Sequence, residues 1–189
     1  MIVEGRKQEI IEAAAILFKE KGFSAVTMRD LATAMGIKAA SLYNHITSKQ
    51  EILSLIIIRL AESFTTGMNE IIKSDLDPVE KIERIIRLHI EITLANSDGL
   101  ASLNNDWMHL EEENLIYFEE MRMAYEENFR SIVVEGVRQK IIKDYDIEIM
   151  VFSTLSTLRT LYLWYPNQKG IDPEILKENM IAVLLNGII

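Results

Sequence analysis

Lys38, Ala39, Ser41, Tyr43, Asn44 and His45 gather, within eight residues, the side-chain types that read a nucleic-acid groove. Ala39 and Ser41 are small enough to let a helix approach a duplex closely. The Asn44 amide matches an adenine edge, and Lys38 and His45 donate to base acceptors or phosphates. The Tyr43 hydroxyl is long enough to reach the sugar-phosphate backbone. Thr27 and Arg29 stand on one side of this set and Lys49 on the other. Lys49 falls on the first turn of a following helix, where unpaired N–H groups and the helix dipole favour a phosphate. The chemistry on offer is recognition of double-stranded DNA.

Such side chains work only if short helices hold them. Thr27 with Asp30 reads as an N-cap and a variant capping box, Leu31, Ala32 and Met35 give a first short helix its inward face, and Gly36 ends it. After the turn, Ile37, Leu42 and Ile46 anchor a second short helix and leave the polar set facing out. This is a helix-turn-helix, with the second helix suited to a major groove about 12 Å wide. Upstream, Ile10, Ile11, Ala14, Leu17 and Phe18 recur at helical spacing from Arg6 to Lys21 before Gly22 stops the run. Downstream, Ser48 and Glu51 are expected to form a second capping box.

On Gly22-Phe23, Thr27, Leu31-Ala32, Gly36-Ile37, Leu42-Tyr43, Ile46 and Lys49 the chain resembles the N-terminal domain of the TetR family of transcriptional regulators, over about its first 53 residues. The resemblance implies a homodimer on a palindromic operator, with an effector cavity in the body that alters the separation of the two DNA-binding heads. Lys38 stands where the family often has Ser or Thr, Asn44 and His45 replace a commoner His-Tyr pair, and Ile46 replaces Phe. These departures leave the operator sequence open. The segment from Leu161 to Ile175, with Trp164-Tyr165, Pro166 and Gly170, is similar to regulators of fatty-acid and sterol degradation in the same family. That similarity suggests an acyl-CoA or other lipid-derived effector, although Pro and Gly there also serve an ordinary turn.

The 189 residues are 49% hydrophobic, ample for a packed core, and divide into a head at 1–53 and a body at 54–189. The net charge of −9 argues against a nucleic-acid partner until its distribution is considered. The head holds seven Lys or Arg against six Asp or Glu, whereas the body holds thirteen against twenty-three. An acidic body repels DNA and fixes which face docks. The absence of cysteine suits a reducing cytoplasm. Residues 1–22 carry charges in an amphipathic pattern unlike a signal peptide, and the longest apolar run, Ile147 to Trp164, contains Glu148 and Arg159, so no membrane span is expected.

The fold class expected is all-α, with about nine helices. Ser48 opens a helix toward Ile72, Asp77-Pro78 another, Asn96 to Gly99 a turn, Leu100 to Leu110 a short helix, and Glu112 to Ile141 a long one. Ile147 to Trp164 is apolar nearly all round and therefore asks for cover from a second subunit. Ser153, Thr154, Ser156 and Thr157 permit close approach, and Ile181, Leu184 and Leu185 of the last helix complete a four-helix interface. Trp107, Met108, Tyr117, Phe118, Met121, Tyr125, Phe129 and Tyr162 are candidates to line the effector pocket, with His89, His109 or Arg159 as polar anchors, although aromatic and Met residues at helical spacing are more often plain core. Arg159, a cation in an apolar helix, needs a ligand anion or a carboxylate such as Glu83 or Glu91. An enzyme fails on inventory. His45, His89 and His109 are scattered, and no phosphate loop or metal pattern occurs, so no catalytic residue, cofactor or metal is expected. A helical interaction protein without DNA specificity is the alternative.

Overall fold

Local punctuation accounts for where each helix starts and stops. The computed structural model describes residues 2–168, 170–187 and 189, without the side chains of residues 2–4; Lys169, within the tail named above, lies outside them. The described residues form eight α-helices and no strand. These are α1 (Ile2–Lys21), α2 (Met28–Ala34), α3 (Ala39–Leu42), α4 (Lys49–Lys73), α5 (Pro78–Asn105), α6 (Glu112–Arg138), α7 (Ile147–Trp164) and α8 (Pro173–Asn186). Asp77, Asp146 and Asp172 cap the starts of α5, α7 and α8 by accepting from the N–H groups of Val79, Ile149 and Glu174. Pro78 and Pro173 occupy first helical positions, where a missing N–H costs nothing.

The turn expected from Asn96 to Gly99 is a break inside α5 instead. Asn96 alone leaves helical backbone angles, at φ −139° and ψ 34°. Its Nδ2 donates back to the Ile92 carbonyl at 3.1 Å, and the helix resumes as far as Asn105. Counting the two halves of α5 separately restores the nine helices expected from sequence.

Packing divides the chain into two compact units, residues 1–61 with 98–119 and residues 62–97 with 120–189. In the first, Ile10 and Phe18 of α1, Leu31 of α2, Leu42 of α3, Ile46, and Ile52, Leu53 and Ile57 of α4 are almost wholly buried. Leu100, Leu110 and Phe118 are buried in the same unit. Each such side chain stabilises the fold by roughly 1.5–3 kcal/mol relative to exposure. In the second unit Met68, Ile82, Ile85, Ile86, Phe129 and Leu158 form the centre of one apolar cluster that also takes in Leu176 and Leu185 of α8.

The α7 helix is not covered all round. Met150, Val151, Thr154, Leu155, Leu158, Leu161 and Tyr162 are buried, while Ile149, Phe152, Leu163 and Trp164 are exposed. Phe152 is 72% exposed, as is Val183 of α8. The outward set differs from the one expected. Thr154 and Leu185 point into the core and Ile181 and Leu184 are half-buried, so Ser153, Phe152, Thr157, Ile175 and Val183 form the uncovered surface. No described helix is long and apolar enough to cross a membrane.

Candidate nucleic-acid interface and effector residues

The turn between α2 and α3 is built by Gly36, whose φ of 65° is accessible to glycine at little cost. The Gly36 N–H bonds the Thr33 carbonyl at 3.1 Å and the Ile37 N–H bonds the Ala32 carbonyl at 3.0 Å, a Schellman closure of α2. At the other end of α2, Thr27 and Asp30 form the full reciprocal box: the Asp30 N–H donates to Thr27 Oγ1 at 3.2 Å, and the Thr27 N–H to Asp30 Oδ2 at 2.8 Å. The same carboxylate also accepts from the Thr27 hydroxyl. These hydrogen bonds lower the Asp30 pKa.

This frame leaves Lys38, Ser41, Tyr43 and Asn44 exposed, with Thr27 and Arg29 exposed beside them. Tyr43 is 56% exposed although it follows the fully buried Leu42. Ala39 and His45 are half-buried. Nδ1 of His45 lies inside without a partner, so the imidazole presents less of itself than the sequence suggested. The two carboxylates near the motif, Asp30 and Glu51, are both engaged by residues other than Arg29. Asp30 is engaged by Thr27, and Glu51 accepts from Lys7 Nζ at 2.7 Å and from the Thr47 N–H and hydroxyl at 2.7 Å.

Glu51 corrects the second capping box. Ser48 Oγ accepts from the Glu51 N–H at 3.0 Å as expected, but the returning carboxylate reaches Thr47 rather than Ser48. Burial pushes the Glu51 carboxyl up, and the Lys7 ammonium with the Thr47 donors outweighs it, holding the group at about 2. Lys49 does not extend into solvent. Its Nζ donates to the Phe23 and Val26 carbonyls, each at 2.8 Å, and lies 4.2 Å from the Phe23 ring centroid. Burial lowers its pKa, and the Asp106 carboxylate opposes that shift.

The candidate effector residues fall in both units. Trp107 and Tyr117 belong to the first, and His89, Met121, Tyr125, Arg159 and Tyr162 to the second. Met108 and Tyr117 are exposed. In the second unit the buried His89 and Tyr125 share a hydrogen bond of 2.9 Å between Nε2 and the hydroxyl, and the Phe64 ring lies 4.7 Å from the imidazole. Burial, aided by the Arg159 charge, holds His89 down at about 3, and burial raises the Tyr125 pKa. Arg159 is paired with neither Glu83 nor Glu91. Its Nη1 donates to Glu126 of α6 at 2.7 Å, while Glu83 holds Arg87 and Glu91 lies 3.8 Å from Lys177. Spacing along one helix did not reveal Glu126, because that residue lies 33 positions away on another.

A buried three-helix frame that turns a short polar helix outward defines a helix-turn-helix DNA-binding regulator. Residues 10–56 match the family described as bacterial regulatory proteins, tetR family, and residues 75–188 match the tetracyclin repressor-like C-terminal domain. The chain belongs to the TetR family of transcriptional regulators. It is 26% identical over 186 residues to the HTH-type transcriptional repressor KstR2 of Rhodococcus jostii, covering 97% of this chain and 91% of that one. The solved structure of the ketosteroid transcriptional regulator KstR2 of Mycobacterium tuberculosis superposes with a TM-score of 0.90 at 22% identity, covering 97% and 94% of the two chains. The structure of AibR in complex with isovaleryl coenzyme A and operator DNA has a TM-score of 0.78 at 22% identity, with 94% and 97% covered.

Proposed function

We propose that the protein is a homodimeric repressor that binds a palindromic operator and is released by a small acyl-CoA or lipid-derived effector. The observation that carries the DNA-binding part is the exposure of Ser41 on the short helix Ala39–Leu42, and of Lys38, Tyr43 and Asn44 at its two ends, while its apolar residue Leu42 is fully buried. In this reading Asn44 and Lys38 read base edges, Ala39 and Ser41 allow close approach, and Tyr43, Thr27 and Arg29 contact the backbone. His45 contributes through the Nε2 side of its ring, and Lys49 stands at the margin of the contact surface.

The uncovered apolar face of α7 and α8 supports the dimer. The name of KstR2 as a repressor supports repression, and the AibR complex supports an acyl-CoA effector in a protein of this fold. His89, Met121, Tyr125, Arg159 and Tyr162, all in the second unit, are the effector-contact residues of this reading. The head at 1–53 is the DNA-binding domain and 54–189 the effector and dimerisation domain, working in the cytoplasm and without catalysis. The unit boundaries fall inside α4, α5 and α6 rather than in loose linkers, which suits a regulator that passes a ligand signal to DNA. An effector preference of about 3 kcal/mol for the DNA-incompetent state shifts operator affinity by roughly a hundredfold.

Selection of bound sites from random duplex DNA, at near-physiological salt, tests the reading. Wild type should recover a palindrome that Tyr43→Ala loses, and Asn44→Ala should relax preference at one base position. Recovery of no preferred sequence by a folded dimer, with and without acyl-CoAs, refutes it.

A further inference from the structure

Segment 98–119 belongs by sequence to the body and by packing to the unit that contains the helix-turn-helix. It grips that unit at four places. Asp98 accepts from Lys19 Nζ of α1 at 2.9 Å. Gly99 lies so close to α4 that a Cβ there would sit 3.0 Å from Leu60 and 3.4 Å from Ile56. Asn114 Nδ2 donates to Ser54 Oγ at 3.2 Å. The His109 ring stacks on Phe23, with centroids 5.5 Å apart and planes at 29°, and its Nε2 lies 3.5 Å from Ser24 Oγ.

Phe23 is where these contacts meet the DNA-recognition frame. The buried ring takes the edge of Phe18 at 5.2 Å and has the Lys49 ammonium 4.2 Å from its centroid. That ammonium also donates to the carbonyls of Phe23 and Val26. The two carbonyls belong to the turn that runs directly into Thr27, the N-cap of α2. Two of the three N–H groups of Lys49 are thus spent inside the protein, and a desolvated ammonium over a ring gains further from the π face. A residue so held fixes geometry; it is poorly placed to reach a phosphate as well.

We propose that Lys49 serves DNA binding as a positioning residue rather than a phosphate ligand, tying the start of α4 to the 23–26 turn, and that His109, stacked on Phe23, makes this tie answer to segment 98–119. The inference rests on the DNA-binding reading for its affinity measurement alone. A lysine on a phosphate releases a counterion on binding, so its removal lowers the salt slope by about 1, whereas loss of a positioning residue lowers affinity and leaves the slope unchanged.

The test uses the full-length protein and the duplex recovered by selection. Lys49→Met and His109→Ala should each weaken binding by about tenfold at an unaltered salt slope, with His109→Phe, which keeps the stack, near wild type. A slope lowered by about 1 in Lys49→Met, or wild-type affinity in His109→Ala, overturns the proposal. Amide hydrogen exchange of the DNA-free protein is the second measurement, and it decides the matter even if no duplex is recovered. Exchange over residues 23–36 should quicken by about tenfold in Lys49→Met and His109→Ala, with α7 unaffected. Unchanged exchange in either variant overturns the proposal.

Discussion

His89 is the residue whose chemistry burial alters most. Desolvation keeps the imidazole neutral down to about pH 3, against an ordinary value of 6.5, and the nearby Arg159 charge acts in the same direction. Above pH 6.5 neither the folded nor the unfolded chain carries this proton, so no stability is lost there. Between 6.5 and about 3 the unfolded chain takes it up and the folded chain does not. Stability therefore falls with falling pH in that window, by up to about 1.4 kcal/mol per pH unit from this group. Urea titrations at pH 7, 6, 5 and 4 should show a shallower decline for His89→Gln, which keeps a polar group near the Tyr125 hydroxyl, than for wild type. Equal declines would mean that His89 is not held neutral in the native state. Other polar side chains fix where helices start. The Thr27 and Asp30 pair fixes the start of α2 within four residues, and the Lys7 and Thr47 contacts of Glu51 brace the start of α4.

Among the elements, the end of α6 is the least well matched to its sequence. Lys140 adopts φ 62°, and the 140 and 141 N–H groups close the helix on the Val137 and Gly136 carbonyls at 3.0 and 3.1 Å. Glycine normally fills this position, since a side chain in the left-handed region costs about 1–2 kcal/mol. Glycine loses more freedom on folding, by roughly 0.5–1 kcal/mol. Lys140→Gly should therefore stabilise by about 1 kcal/mol and raise Tm by roughly 2–4 °C in a calorimetric scan. A lowered Tm would show that the lysine gains more from its surroundings than the strain costs. Gly136, one turn earlier, has the opposite character. A Cβ there would meet Ile142 Cδ1 at 2.4 Å and Pro78 Cβ at 3.2 Å, so its small size is needed for packing and not for backbone freedom.

For the whole molecule, the uncovered apolar residues of α7 and α8 are the dominant fact. Large exposed side chains spaced along two adjacent helices are unusual in a monomer, and a second copy of the same surface is their natural cover. Phe152→Glu together with Val183→Glu places two like charges per subunit on that surface. Analytical ultracentrifugation should then show the monomer mass where wild type sediments as a dimer, with helical circular dichroism retained. A double variant that remains dimeric would locate the interface elsewhere. By sequence the excess acid lies in residues 54–189 and the head is close to neutral, but packing brings Asp98, Asp106, Glu111, Glu112, Glu113 and Glu119 into the unit of the helix-turn-helix.

Sequence by itself determined the elements and the character of the recognition helix. Caps, glycines and apolar spacing act over three to five residues, so Thr27 and Asp30, Gly36, Pro78 and Asp172 announced their helices directly, and Leu42 between Ser41 and Tyr43 announced which side faces out. The family followed from the same short-range pattern. What tertiary structure alone decided was partnership between residues distant in the chain. It paired Arg159 with Glu126, turned Thr154 and Leu185 inward while leaving Phe152 and Val183 outside, and placed segment 98–119 in the unit of the helix-turn-helix. It also spent the Lys49 ammonium on two carbonyls of a turn more than twenty residues upstream. Such choices depend on which surfaces meet once helices pack, and a periodic pattern specifies that a face is apolar without specifying what will cover it.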